Sequence, residues 1–306
     1  MTKVLIATEK PFAPAAIAQI KPIFDKADFQ LELLEKYTDK EELLKAVVDV
    51  DALIIRSDKI TKEVIAAAKN LKIVVRAGAG YDNVDLQAAT EAGVVVMNTP
   101  GQNSNAVAEL ALGLMVMMAR GGYNGKAGTE LRGKTLGIHA YGHVGRYVAT
   151  IAKGFGMKVS AFDPFLSAED IEKDGVKAVS TVEELYSGCQ YISLHIPATK
   201  KTIKSIGYSL LAKMPEPACL VNTARKEVID EDELVKIMFD RSDLSYISDI
   251  APDNKDEIAR NFEGRYFFTP KKMGAQTKEA NINAGLAAAN QIVDYIINGN
   301  STFKVN

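Results

Sequence analysis

The chain has 306 residues, 47% apolar and 25% charged, and its 37 Lys and Arg against 39 Asp and Glu leave a net charge of −2. The length suggests two domains of about 150 residues each. The even charge balance gives no electrostatic case for nucleic acid or a membrane surface, and the two cysteines, Cys189 and Cys219, match neither a disulfide framework nor a metal-ligand spacing, so no metal is expected.

In chain order, the first apolar run, residues 4–7, is too short for a signal peptide. Short β-branched runs then alternate with helical patterns, and strands are predicted at 4–7, 52–55, 73–75, 94–97, 135–139, 158–162, 191–195, 219–222 and 246–248. Most are continuously apolar, as in strands covered on both faces. A helix over about 105–120 is apolar nearly all round and is expected to be buried, in a core or between domains or subunits. Glu109 within it is expected to be a buried hydrogen-bond acceptor. With that residue inside it, the stretch falls short of the ~20 residues that span a bilayer. A cytoplasmic protein follows as the expectation. Turns at 98–101 and 121–128 are the candidate boundaries. Thr181 with Glu184 reads as a capping box, Asp230 precedes Glu233 by three, and Thr277 caps a last helix ending at Gly299. Such alternation specifies an α/β chain with doubly wound parallel sheets.

Residues 137–145, Gly-Ile-His-Ala-Tyr-Gly-His-Val-Gly, follow a strand and open a helix, and Asp163 ends the next strand. Gly142 would let a pyrophosphate approach the backbone, Gly145 would let helix and strand pack closely, and Asp163 would bind ribose hydroxyls and disfavour a 2′-phosphate. Ala140 replaces the first glycine of the fingerprint and is tolerable if its φ is negative. Arg56 and Arg76 end successive strands, with Ser57 after the first and Ala77-Gly78-Ala79-Gly80 after the second, which suggests an anion site. Arg225 follows another strand. Lys271 and Lys272, after Pro270, read without further context as a solvated pair. His139, His143 and His195 read as structural or cofactor-adjacent.

Together these stretches resemble the D-2-hydroxyacid dehydrogenase family. The resemblance rests on Arg56-Ser57, on residues 76–85 from Arg76 through Asn83 to Asp85, and on Asn98-Thr-Pro-Gly101 with Asn103-Ser104 and Val107-Ala-Glu109. It continues in Gly142-His-Val-Gly145, Asp163-Pro164, Leu194-His-Ile-Pro197, Val221-Asn-Thr-Ala-Arg225, Asp249 and Thr269-Pro270 through Gly274. It covers essentially the whole chain. It implies a flavodoxin-like substrate domain (1–97 and 286–306) into which a Rossmann-type NAD-binding domain (98–285) is inserted, and a homodimer. It also implies that Arg225 holds the substrate carboxylate, and that Arg56, Ser57, Arg76, Ala77, Gly78 and Asn103 bind substrate. NAD would fall to Ala79, Val107, Tyr141, Gly142, His143, Val144, Gly145, Asp163 and Pro164, and to His195, Ile196, Pro197, Thr223, Ala224, Asp249 and Gly274.

The sequence departs from the family where a catalytic histidine is expected. That place holds Lys271 counting from Pro270, or Lys272 counting back from Gly274, and the family's accompanying glutamate is Asn254. The pair of changes is coherent. A lysine acting as base must lose roughly 3 pKa units, and a carboxylate in contact would oppose that shift. A basic phosphate contact usual between Arg120 and Gly133 is also missing or supplied by a residue such as Lys126. The expectation is an NAD-dependent enzyme for a phosphorylated 2-hydroxyacid such as 3-phospho-D-glycerate. The alternatives are a glycerate, hydroxypyruvate or other D-2-hydroxyacid dehydrogenase, or a non-catalytic NAD-sensing scaffold.

Overall fold

The computed structural model describes residues 1–306, which form two units, 1–103 with 277–306, and 104–276. In the first unit the strands β1 (Thr2–Thr8), β2 (Phe29–Glu35), β3 (Ala52–Ile55), β4 (Ile73–Arg76) and β5 (Val95–Asn98) form a parallel sheet ordered β2-β1-β3-β4-β5. Successive side chains of a strand point to opposite faces. Val4, Ile6, Ile54, Ile73 and Val75 therefore pack against Ile20 and Phe24 of the helix Pro14–Lys26 and Ala288 and Ile292 of the helix Lys278–Asn298. Leu5, Leu53, Ile55, Val74 and Val96 pack on the other face with Val47, Val64 and Ala89.

The second unit holds β6 (Thr135–His139), β7 (Lys158–Phe162), β8 (Lys177–Ala178), β9 (Tyr191–Leu194), β10 (Cys219–Asn222), β11 (Ser245–Ser248) and β12 (Tyr266–Phe268). They form a parallel sheet ordered β12-β11-β10-β9-β6-β7-β8. The helices Ser104–Ala119 and His143–Gly154 cover Leu136, Ile138 and Val221, and the helix Glu231–Asp240 covers the opposite face. The two orders are those of the flavodoxin-like and Rossmann folds, in which ligands bind beyond the carboxyl ends of the strands where the order reverses. Those points are β1/β3 in the first sheet and β6/β9 in the second.

β2, β8 and β12 were not anticipated by the sequence pattern. All three are sheet edges; β2 mixes Gln and Glu with its apolar residues and buries none of them fully, and β8 and β12 are only two and three residues long. The units divide after residues 103 and 276, not after 97 and 285, because the helix Lys278–Asn298 belongs as a whole to the first sheet. The turn at 121–128 lies inside the second unit. Thr277 caps that helix through the Ala280 N–H at 3.1 Å, and Gly299, at φ 71°, ends it. Asp230 likewise accepts from the Glu233 N–H. Thr181 accepts from Glu184 N–H, but the Glu184 carboxylate takes the Ser180 N–H, one residue outside a capping box. Glu109 is exposed and accepts from Asn105 Nδ2 at 2.7 Å, so the buried role expected for it is corrected. The helix buries other positions, among them Ala108, Leu112 and Met115.

Candidate active site

In the first unit, Arg56 follows β3 and Arg76 closes β4, and the Arg76 Nε donates to the Arg56 carbonyl at 2.9 Å. The Arg56 guanidinium lies over the Phe12 ring and donates to the carbonyls of Lys10 (3.0 Å) and Pro11 (3.2 Å) and to Asn281 Oδ1. Arg56 thus also frames the loop after β1. Gly78 has φ 151°, and a Cβ there would overlap the Arg76 guanidinium, so this glycine is what lets that side chain lie across the loop. Ala77 and Gly78 are buried, Ser57 and Ala79 exposed, and Asn103 half-buried in the turn before the helix Ser104–Ala119. Sequence reasoning missed Asp58. It is buried and accepts from Glu9 N–H (2.7 Å), Tyr37 Oη (2.9 Å) and Arg56 N–H (3.1 Å), tying the loops after β1 and β3 together.

In the second unit the turn after β6 has the expected shape with one difference. Ala140 adopts φ 77°, not a negative angle. Gly145 is required, because a Cβ would sit 2.6 Å from the Ala140 carbonyl oxygen, whereas a Cβ at Gly142 would meet nothing within 4 Å. Left-handed φ costs an alanine ~1–2 kcal/mol, and glycine's extra chain entropy returns ~0.5–1 kcal/mol of that. Ala140→Gly is therefore expected to stabilise the protein by ~0.5–1 kcal/mol in chemical denaturation; a destabilised variant would contradict the strain.

Asp163 accepts from Tyr141 N–H through Oδ2 (2.8 Å) and from Phe165 N–H through Oδ1 (2.9 Å), so it shapes the turn it faces. The Tyr141 side chain is fully buried, its hydroxyl donates to Asp174 (3.1 Å), and Arg146 lies over its ring and pairs with Asp174. The Tyr141 side chain thus anchors the turn. His143 and Pro164 are exposed and Val144 half-buried. After β9, His195 is half-buried, Ile196 buried and Pro197 exposed.

His139 and His195 adjoin across β6 and β9, His195 N–H donating to the His139 carbonyl at 2.9 Å. His139 faces the Tyr186 hydroxyl, and His195 Nε2 lies 2.9 Å from Ser193 Oγ. Burial pushes the imidazole of His139 down to about 4 and that of His195 to about 3. The unfolded chain therefore binds protons below pH ~6.5 that the folded chain refuses. Stability should be flat above that pH and fall by about 2 kcal/mol per histidine by pH 5. Denaturation midpoints unchanged between pH 7 and 5 would refute this.

After β10, Arg225 donates through Nη1 to the Ala224 carbonyl at 3.0 Å. After β12, Lys271 and Lys272 are both exposed, and Lys272 Nζ donates to the same Ala224 oxygen at 3.0 Å. The structure brings Arg225 and Lys272 together at this oxygen. Asn254 turns away: its Nδ2 donates to the Glu231 carbonyl (2.9 Å), and its buried Oδ1 has no hydrogen-bond partner. Asp249 is fully buried, and its carboxylate accepts from Met273 N–H (2.7 Å), Gly274 N–H (2.7 Å) and Thr269 Oγ1 (3.1 Å). It holds the lysine loop. Gly274 is buried too, and a Cβ there would lie 2.9 Å from Asp249 Oδ2 and 3.2 Å from Val107. Thr223 Oγ1 is buried with no partner. Asn222, Ser248 and Thr269 are buried polar residues that sequence reasoning gave no role; Asn222 and Thr269 stood in stretches that carry the family resemblance, and Ser248 only closes an apolar strand.

Parallel α/β sheets with ligand-facing loops suit many chemistries, so similarity to known proteins decides the family. The D-isomer specific 2-hydroxyacid dehydrogenase catalytic domain matches residues 6–306. The chain belongs to this family. The chain is 39% identical to the D-3-phosphoglycerate dehydrogenase of Methanocaldococcus jannaschii, over 83% of the chain and 51% of that protein. It thus spans about half the length of that relative. It is 38% identical to the hydroxypyruvate reductase of Thermotoga maritima, over 86% of the chain and 90% of that protein. Among solved structures, NAD+-bound 3-phosphoglycerate dehydrogenase of Entamoeba histolytica is similar at TM-score 0.89 and 49% identity, covering 100% of this chain and 98% of that one. No helix of the chain is long and apolar enough to cross a membrane.

Proposed function

We propose that the chain is an NAD-dependent dehydrogenase that oxidises 3-phospho-D-glycerate to 3-phosphohydroxypyruvate. The observation that carries this reading is the convergence of Arg225 and Lys272 on one carbonyl oxygen, that of Ala224. The residues present fit the dinucleotide. The helix His143–Gly154 opens on Gly142 without a side-chain cap, space above Gly142 is open, and the buried Thr223 hydroxyl has no protein partner. Bound NAD supplies the hydride acceptor. Arg225 holds the substrate carboxylate in its planar fork, since Ala224 is the one protein acceptor recorded for its guanidinium. Lys272, as the free amine, takes the C2 hydroxyl proton as the C2 hydrogen leaves with its electron pair, and the C2–O bond becomes a carbonyl. The guanidinium close by favours the uncharged lysine. Asp163 favours NAD over NADP.

The phosphate assignment rests on Arg76 and Arg56 at the ends of β4 and β3 and on relatives named phosphoglycerate dehydrogenase. A second reading, reduction of hydroxypyruvate, is favoured by the 90% coverage of the Thermotoga maritima protein. The deciding measurement is kcat/KM with NAD for 3-phosphoglycerate, D-glycerate and D-lactate. At least tenfold preference for the phosphorylated acid is expected, because a charge-assisted hydrogen bond contributes ~1.5–3 kcal/mol. Equal turnover of glycerate moves the assignment to the second reading. No NADH with any acid makes the chain a non-catalytic NAD binder.

A further inference from the structure

We propose that Asn222 is a positioning residue for the proton transfer, setting the direction of the Ala224 carbonyl that orients Lys272. The inference rests on the reading of Lys272 as the proton acceptor. Asn222 closes β10 and is 2% exposed. Its Oδ1 accepts from the Ala224 N–H at 3.0 Å, and its Nδ2 donates to the Arg225 carbonyl at 2.9 Å. These bonds grip the peptide units on either side of the one whose carbonyl receives both Lys272 Nζ and Arg225 Nη1. The Asn222 carbonyl in turn accepts from Asp249 N–H (2.9 Å) and Ser248 Oγ (3.0 Å), and Asp249 holds Met273 and Gly274. The backbone beside Lys272 and the acceptor at its tip are therefore fixed by one buried network that runs through Asn222.

The chemistry of that acceptor matters. An ammonium beside a carboxylate has its charged form strongly favoured, which keeps the amine protonated. A main-chain carbonyl is a dipole without net charge: it supplies direction with a weaker bias toward the ammonium. Asn222 lets this site use such an acceptor by holding it rigid, since an unrestrained loop carbonyl would not keep one orientation.

Asn222→Asp tests the idea. The variant keeps an oxygen for Ala224 N–H and places a carboxylate near Lys272 and Arg225. In the full chain with NAD and its best substrate acid, the low-pH limb of the kcat profile is expected to move up by about one pH unit. KM for NAD should stay within twofold. A merely structural role would lower kcat at every pH and leave the limb in place, and that result overturns the proposal. If the aspartate variant does not fold, Asn222→Ser removes the donor to Arg225; kcat is expected to fall at least tenfold with KM for NAD within twofold, and an unchanged kcat overturns the proposal. Lys272→Ala separates this proposal from the reading beneath it. If the limb survives in that variant, Lys272 is not the titrating group and both fail. If it vanishes there but does not move in Asn222→Asp, the role of Asn222 alone fails.

Discussion

Lys272→Ala should lower kcat by ~10²–10⁴ while leaving NAD affinity nearly unchanged, the usual scale for removal of a general acid or base. Lys271→Ala, one residue earlier, should stay within about threefold of the parent enzyme. The contrast follows from geometry, because Lys272 Nζ reaches the Ala224 carbonyl that Arg225 also binds. Both lysines are exposed. At Lys272 the neighbouring guanidinium and the exclusion of water by bound substrate would favour the free amine. Steady-state kinetics with a separate NAD titration decide the matter. A full loss in Lys271→Ala, with Lys272→Ala unaffected, would reverse the assignment.

The second large effect is expected at Asp249. Asp249→Ala leaves Met273 N–H, Gly274 N–H and Thr269 Oγ1 without their acceptor at a fully buried position. Hydrogen bonds to a charged group contribute ~1.5–3 kcal/mol each, and a stranded buried donor costs ~1–3 kcal/mol. Relaxation of the loop recovers part of this, so a loss of about 3–5 kcal/mol is expected, together with a fall in kcat as the lysine loop loses its anchor. Asp249→Asn keeps the volume but turns an amide N–H₂ toward at least one donor, and should fall between the two. Melting of the NAD-loaded protein reads the stability. A change in Tm of less than about 2 °C for Asp249→Ala would show that the loop is held by other contacts.

What was legible in the sequence was whatever depends on near neighbours along the chain. The strands at 52–55, 135–139, 158–162 and 219–222 fall where the apolar runs placed them, and Thr277 and Gly299 bound the last helix. The glycine turn, Asp163 and Arg225 could be picked out because each stands just beyond a strand of that kind. The remainder depends on residues distant in sequence. β2 interleaves Gln30, Glu32 and Glu35 with its apolar residues, and β8 and β12 are only two and three residues long, so none gives a long apolar run. That the Arg56 fork faces Lys10, Pro11 and Asn281 depends on a helix more than two hundred residues away. Tyr141 looked like part of a phosphate-facing turn, yet Asp174 and Arg146 draw its ring inward. The proposed choice of Lys272 over Lys271 rests on the position of a single backbone carbonyl, which no local pattern reveals.

The helix Lys278–Asn298 completes a sheet whose last strand, β5, ends at Asn98. A ribosome adding roughly 5–20 residues per second needs about 10–35 s to make the intervening second unit. Throughout that interval the face formed by Val4, Ile6, Ile54, Ile73 and Val75 lacks Ala288 and Ile292. The nascent first unit is then an incomplete sheet whose apolar side is covered only in part, by the helix Pro14–Lys26, while the second unit, continuous in the chain, has every residue it needs as soon as it emerges. Order of synthesis and order of folding therefore run opposite to each other in this protein, and the interval before residue 278 is made is when it is most exposed to aggregation or to capture by chaperones.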